Sequence, residues 1–183
     1  MLVSIIALLT IVAGTTIAYL YTNTPAITNT FTPTKVTTTI EEDGTTVKEN
    51  VTITNDGDID AYVRAAVIVT WKDASGNVHS KVPTVGKDYT IEYNTTHWTL
   101  GKDGYWYYKY PLPPKSCSWV LIEECKPQTP STAPEGYHLS VEILASAIQA
   151  EPSSAVVDAW GTAKGGSVTE VNSTTKNLTI KTN

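Results

Sequence analysis

The chain has 183 residues, enough for one domain of ordinary size with a core that folds alone. Thirteen basic against eighteen acidic residues leave a net charge of −5, which excludes the broad basic face that a nucleic-acid backbone demands. Thirty threonines stand beside ten tyrosines and five tryptophans, side chains that favour pleated strands, so composition predicts an all-β domain.

In chain order, no side chain before Lys35 carries a charge at pH 7. Residues 2–18 read LVSIIALLTIVAGTTIA, an apolar run ending in small residues. Thr16 and Ala18 fall at the −3 and −1 positions of a signal-peptidase cut between Ala18 and Tyr19. No Lys or Arg precedes the run, and Leu2 to Leu20 nearly spans a bilayer, so a retained membrane anchor is the competing reading. Residues 1–18 are therefore expected to be a signal peptide, and either reading sends the bulk of the chain out of the cell.

From Tyr19 to Thr34 the pattern has period two. Thr22, Thr24, Thr28, Thr30, Thr32 and Thr34 share one parity; Tyr19, Tyr21, Ile27 and Phe31 share the other, with Asn23, Pro25 and Asn29 interrupting. A hydroxyl face opposite an apolar face predicts a strand. No hairpin partner follows closely, which leaves two readings. It is the first strand of its own sheet, or it leaves its domain and completes the sheet of a neighbour.

Strands and turns then alternate. Val36 to Ile40 and Val47 to Thr54 flank a turn at Glu42-Asp43-Gly44. Asn55-Asp56-Gly57-Asp58 is the next turn, with Gly57 expected at positive φ. Tyr62 to Trp71 puts Val63, Val67, Val69 and Trp71 on one face and Tyr62, Arg64, Ile68 and Thr70 on the other. Tyr89 to Tyr93, Tyr105 to Tyr110, Val120 to Ile122 and Leu139 to Ala147 are further strands, the second entered through the turn Lys102-Asp103-Gly104. Ser153 or Ser154 is placed to cap one short helix that Gly161 ends. Residues 162–183 are a polar tail or an edge strand. Short strands at regular spacing predict a jelly-roll-like β-sandwich over residues 35–161.

Cys117 and Cys125 lie close enough in sequence for a hairpin-like disulfide, with a pair of ordinary thiols as the alternative. No second Cys or His pair stands at ligand spacing, so no metal or cofactor is expected. His79, His97 and His138 each stand alone, and none opens the H-E-x-x-H of a zinc protease. Asp56, Asp58 and Asp60 imitate a calcium loop, but Ala61 replaces its glycine and Val67 its closing glutamate. No catalytic residues are assigned. Arg64, the single arginine, is expected to snorkel from its sheet face or to pair with a carboxylate. The aromatic run around Trp106, Tyr108 and Tyr110 is expected to pack in the core or an interface; the rival is a platform for glycan contact, one ring parity at a time.

Several blocks resemble a known family. Ala18-Tyr19-Leu20-Tyr21-Thr22 and Thr28-Asn29-Thr30-Phe31-Thr32 resemble the cleavage region and early mature segment of the TasA/camelysin family of exported matrix proteins. Asn55-Asp56-Gly57-Asp58-Ile59-Asp60-Ala61-Tyr62-Val63-Arg64 with Trp71, and Gly104-Tyr105-Trp106-Tyr107-Tyr108-Lys109 leading to Pro111-Leu112, are similar to a clostridial branch of biofilm matrix proteins. So are Val141-Glu142-Ile143 through Ala150, and Ala159-Trp160-Gly161. Archaeal bundling pilins are similar in plan. Pro33-Thr34 departs from the glycine that often precedes the Lys-Val pair in the family.

The resemblance implies export through a SipW-type signal peptidase and a jelly-roll subunit that polymerises with identical subunits into extracellular fibres. The N-terminal strand of one subunit would complete the sheet of the next. Tyr19, Tyr21, Ile27 and Phe31 then become the anchors of that donor strand, and matrix polysaccharide a further partner. The other readings are a monomeric cell-surface carbohydrate-binding or adhesion module and, least favoured, a camelysin-type metalloprotease.

Overall fold

The computed structural model describes residues 35–39 and 48–183. The described residues belong to one compact unit, Phe31–Asn183. The signal-cleavage positions Ala18 and Tyr19 and the donor-strand residues Tyr21, Ile27 and Phe31 lie outside the described residues.

The fold is all-β, three antiparallel sheets with one short helix. The first sheet takes β1 (Lys35–Thr39), β2 (Lys48–Thr54), β7 (Ile122–Pro127) and β4 (Tyr89–Tyr93) in the order β1-β2-β7-β4. The second takes β5 (Trp98–Leu100), β6 (Trp106–Tyr108), β3 (Ala61–Lys72) and β8 (His138–Gln149) in the order β5-β6-β3-β8. The third is a hairpin of β9 (Val168–Val171) and β10 (Leu178–Ile180).

Alternation along β3 decides the layering. Val63 and Ala65 face Val51 and Ile53 of β2, Ile122 and Cys125 of β7, and Val141 of β8, forming the main core between the two larger sheets. Trp98, Trp106 and Tyr108 of β5 and β6 close the same core. Tyr62, on the opposite face of β3, joins Tyr107 of β6 in a second core. Helix α1 (Ser154–Trp160) contributes Val156 and Trp160, and the hairpin Val168 and Leu178. The central sheet is thus covered on both faces at this end, which is how α1 and the hairpin bury their own apolar sides.

β3 and β8 pair along their full length, from Ala61 opposite Gln149 to Lys72 opposite His138. The face assignment made for β3 holds: Val63, Val67 and Val69 turn into the main core while Tyr62 turns away from it. Leu139, Val141, Ile143, Ala145 and Ala147 of β8 likewise share an inward face, the last four against the main core. Gly161 follows α1 as expected, and Ser153 occupies the N-cap position without a side-chain capping bond. The polar tail is hydrogen-bonded structure, the β9–β10 hairpin, tied to the residue after β6 where Leu178 N donates to Lys109 O at 2.8 Å.

One turn expectation is corrected and one is met. Gly57 does not take positive φ. Its N–H instead donates to Asn55 Oδ1 at 3.0 Å, and the Asn55 amide holds Ile59 O and Leu112 O, so the asparagine shapes this turn. Gly104 does adopt φ of 83°, as the turn into β6 requires.

The cysteines are both free, which corrects the expected disulfide between Cys117 and Cys125. The connecting residues form no hairpin. They run antiparallel to β2, with Ser118 N bonded to Ile53 O, Leu121 N to Val51 O, and Ile122 opposite Val51. Cys117 therefore lies beside Thr54 at one end of β2 and Cys125 beside Lys48 at the other. Six strand steps separate these positions, roughly 20 Å at the usual rise, against the roughly 7 Å limit for bridged Cα atoms. Burial also pushes the Cys125 thiol up to about 11, away from the thiolate that exchange needs.

Away from the sheets, buried Asp88 organises the loops around it. Its carboxylate accepts Thr132 Oγ1 at 2.7 Å and the backbone N–H groups of Thr132 and Thr84, each at 2.8 Å. These bonds, the Thr132 hydroxyl first, hold the group down at about 2. Because the folded value is depressed, the stabilisation is complete above the ordinary value of 3.8 and is lost as pH falls toward about 2. Thermal unfolding followed between pH 5 and pH 2 should show a steeper loss of midpoint in the parent than in Asp88→Asn. Parallel curves would mean that Asp88 does not carry this acid sensitivity.

Candidate assembly edge and the arginine cluster

β8 is the outer strand of the central sheet, and β3 is its one strand partner among the described residues. Twelve residues of extended backbone at a sheet edge form a row of hydrogen-bonding groups along which another strand can be laid. The inner face of this edge is incompletely covered. Ile143, Ala145 and Ala147 of β8 and Val67 and Val69 of β3 pack on the main core yet remain half-buried. On the other face Leu144 is 59% exposed and Ile68 38% exposed, where α1 and the hairpin do not reach. The charged pair Lys72–Glu142, at 2.6 Å, marks the end of the strip.

Strand length explains the exposure on the rear face. β8 and β3 have twelve residues each, but β6 has three and β2 seven. On the rear face the far half of the β3–β8 ribbon therefore extends past α1 and the hairpin, leaving Leu144 and Ile68 exposed. On the inner face Ala145 and Ala147, opposite Ala65 and Val63, are half-buried on the outer strand, while Leu139, Val141 and Trp71 at the far end are buried. The edge also carries alternating small and branched apolar positions, Ile143, Ala145 and Ala147, a row that accepts side chains from an added strand.

Arg64 lies at the covered end, on the face of β3 opposite the main core. Its Nη1 donates to Tyr107 Oη at 3.1 Å, and Tyr107 Oη donates to Asp103 Oδ2 at 2.7 Å. The guanidinium is 3.7 Å from the same carboxylate oxygen. It sits over the ring of Tyr105, 4.1 Å from its centroid, and that of Trp160 at 4.6 Å. Its Nε has no hydrogen-bond partner among the described residues, so ring faces supply part of the compensation for burying the charge.

The remaining carboxylate oxygen, Asp103 Oδ1, accepts Ser167 Oγ at 2.7 Å. Gly101 makes this approach possible, since a Cβ there would lie 2.6 Å from Ser167 and from Asp103. One arginine thereby connects β3, β6, the turn before β6, α1 and the residue preceding β9. The sequence reading that paired Arg64 with a carboxylate is met by Asp103. Burial, then the bond to Asp103, pushes the Tyr107 hydroxyl up to about 12, so it remains a donor at neutral pH.

The aromatic run divides by parity. Trp106 and Tyr108 are buried in the main core and Tyr107 in the second, while Tyr110 is half-buried against Tyr108. The glycan platform proposed for Trp106, Tyr108 and Tyr110 is corrected accordingly: two of its three rings are core residues with no open face to offer. The Asp56–Asp60 turn is braced by Lys115, whose Nζ reaches Asp56 O at 2.5 Å and Asp58 at 3.0 Å.

Of the histidines, His79 accepts Lys81 N and meets Tyr137 edge-on at 4.8 Å, and His138 is exposed on β8. His97 stacks on Trp119, an arrangement that sequence reasoning missed because the partners are 22 positions apart on different loops. No group of three or more His, Cys, Asp or Glu residues is placed to hold a metal among the described residues. No family model, curated protein or solved structure matches the chain.

Replacing Arg64 by Ala removes the cation from a nearly buried carboxylate and uncovers Trp160. Such losses cost about 3–5 kcal/mol when a buried pair is broken on one side only. Hydrogen exchange of the Arg64→Ala protein should accelerate in α1 and the β9–β10 hairpin well before β2 and β7. Uniform acceleration across all sheets would refute a local latch.

Proposed function

We propose that the chain is an exported structural subunit, not an enzyme, that assembles with identical subunits head to tail into an extracellular or biofilm-matrix fibre. The segment Tyr19 to Phe31, freed by cleavage after Ala18, adds to the β8 edge of the next subunit. The observation that carries this reading is that edge: twelve residues long, with one partner among the described residues and a half-buried apolar row on its inner face. The segment's own alternation of Tyr19, Tyr21, Ile27 and Phe31 with threonines is complementary to it. Rings and branched side chains would enter the incomplete core while the hydroxyls face water.

A contact between two different surfaces of identical chains does not close on itself unless its rotation does, so the product is a filament. Assembly also removes an exposed edge, a recurrent aggregation hazard in isolated β domains. The TasA/camelysin resemblance supports the same reading and adds a SipW-type peptidase as the partner in export. Matrix polysaccharide is the remaining partner suggested by that family.

Deleting Tyr19 to Thr30 from the mature chain should leave a folded monomer that sediments as a single species and forms no filaments in negative-stain images. Adding a synthetic peptide of residues 19–34 should raise its unfolding midpoint by several degrees, as expected for a ligand that binds only the native state. Filaments of ordinary length from the deleted chain would eliminate the proposal.

A further inference from the structure

The segment connecting β4 to β5, together with Trp119, forms a surface with its own chemistry, distinct from the assembly edge. Trp119 is 61% exposed, the most exposed aromatic of the main sandwich's large apolar side chains, yet its position is tightly defined. Its carbonyl accepts Trp98 Nε1 at 3.0 Å and Ser118 Oγ at 2.8 Å. Its indole is stacked on the His97 imidazole, with centroids 4.7 Å apart and planes 16° from parallel. His97 is fixed in turn by Asn94, whose Oδ1 lies 3.1 Å from both the backbone N and Nδ1 of His97. Tyr110 lies 6.0 Å from the same imidazole. One indole face is thus backed by a ring, and the residue as a whole remains open to water.

Thr95 of the same segment also lines a cleft of about 360 Å³ with Trp98, Thr99, Leu100, Trp106, Thr182 and Asn183. Trp119 lies outside this lining and is joined to it by the Trp98 Nε1 bond to its carbonyl. That volume falls within the range of small-ligand sites, about 300–1,000 Å³. The lining offers hydroxyls, an amide and aromatic edges, with no side-chain cation. Lys109, beside the segment, is engaged, its Nζ donating to Thr95 O at 3.0 Å and Thr96 O at 2.9 Å. Asn94 Nδ2 donates to Glu123 Oε1 at 3.2 Å at the rim of the stacked pair.

We infer that Trp119, backed by His97, and the Thr95–Leu100 cleft bind a neutral carbohydrate chain. A pyranose ring carries C–H groups on a flat face and hydroxyls around its edge. It therefore needs a flat, rigid, electron-rich ring beside uncharged hydrogen-bonding groups. Trp119 supplies the first; Thr95, Thr99, Thr182 and Asn183 supply the second. An anionic chain is disfavoured by the exposed Glu123 and the engaged Lys109. The inference rests on the polysaccharide partner named in the proposed function and gives it a site. Because none of these residues belongs to β8 or to the N-terminal segment, its failure is distinguishable from a failure of fibre assembly.

The test is affinity electrophoresis of the full mature chain through gels containing hydroxyethylcellulose, laminarin or dextran, with sedimentation of the protein alone in parallel. Retardation in at least one gel is expected. Trp119→Ala should weaken it by about tenfold, the size of effect a lost ring contact produces, and Trp119→Phe should retain part of it. The substituted side chain is exposed, and an unchanged circular dichroism spectrum will show that the fold is intact. No retardation in any of the three gels, or equal retardation of parent and Trp119→Ala, overturns the inference. So does a Trp119→Ala protein that loses only self-association, since the indole would then be a contact between copies.

Discussion

The structure depends on β3 being buried on both faces. Val63 and Ala65 fill the space between the two large sheets, and Tyr62 and Arg64 anchor the layer behind. A strand used in this way must carry its apolar groups on both parities, which is why AYVRAAV has no polar residue except the arginine. The arginine is tolerated because its charge is matched by Asp103 and its plane is covered by Tyr105 and Trp160. Tyr62 makes a comparable connection through its hydroxyl, which donates to Lys176 O at 2.7 Å in the hairpin turn. Burial, with Glu151 and Asp60 nearby, raises its ionisation above the ordinary tyrosine value and keeps that donor protonated.

The same constraint explains what stays uncovered. The rear layer reaches only as far as the Arg64 cluster, so the distal rear face of the β3–β8 ribbon has less protein against it. On the inner face the outer strand β8 is flanked by β3 alone among the described strands. Exposed Leu144 is the result on the rear face, and half-buried Ile143, Ala145 and Ala147 on the inner face of the edge. A monomer that leaves apolar positions of a long edge partly in water gains by covering them. In the proposed fibre the cover is a strand from another copy, which would bring both apolar side chains and backbone partners.

Alternation made much of this legible from sequence. The faces of β3 and β8, the limits of β4, the Gly104 turn and the short helix before Gly161 all follow from local patterns, and local patterns decide them in the fold. Trp98–Leu100 was not recognised as a strand because three residues are too few to show a period. The tail hairpin was only half visible, since its apolar residues are sparse: Val168, Leu178 and a few neighbours docked on α1. The cysteine error has a different origin. Sequence distance suggested a closed turn, but hydrogen bonds to β2 stretch the segment out. Site features were less legible than strands. Asp103 meets Arg64 across 39 positions and Ser167 meets Asp103 across 64, and His97 meets Trp119 through packing of two loops; no periodicity encodes such encounters.

The central claim is that β8 receives the N-terminal segment of a different copy. Disulfide trapping addresses it directly, using Ile27→Cys and Ala145→Cys, which share the inner face in the proposed assembly, on a Cys117→Ser background so that the exposed native thiol does not compete. Chains carrying both substitutions should oxidise to a ladder of dimers, trimers and longer products, while a mixture of the two single variants should stop at dimers. A double variant that cross-links only within itself, or not at all, would contradict assembly through this edge.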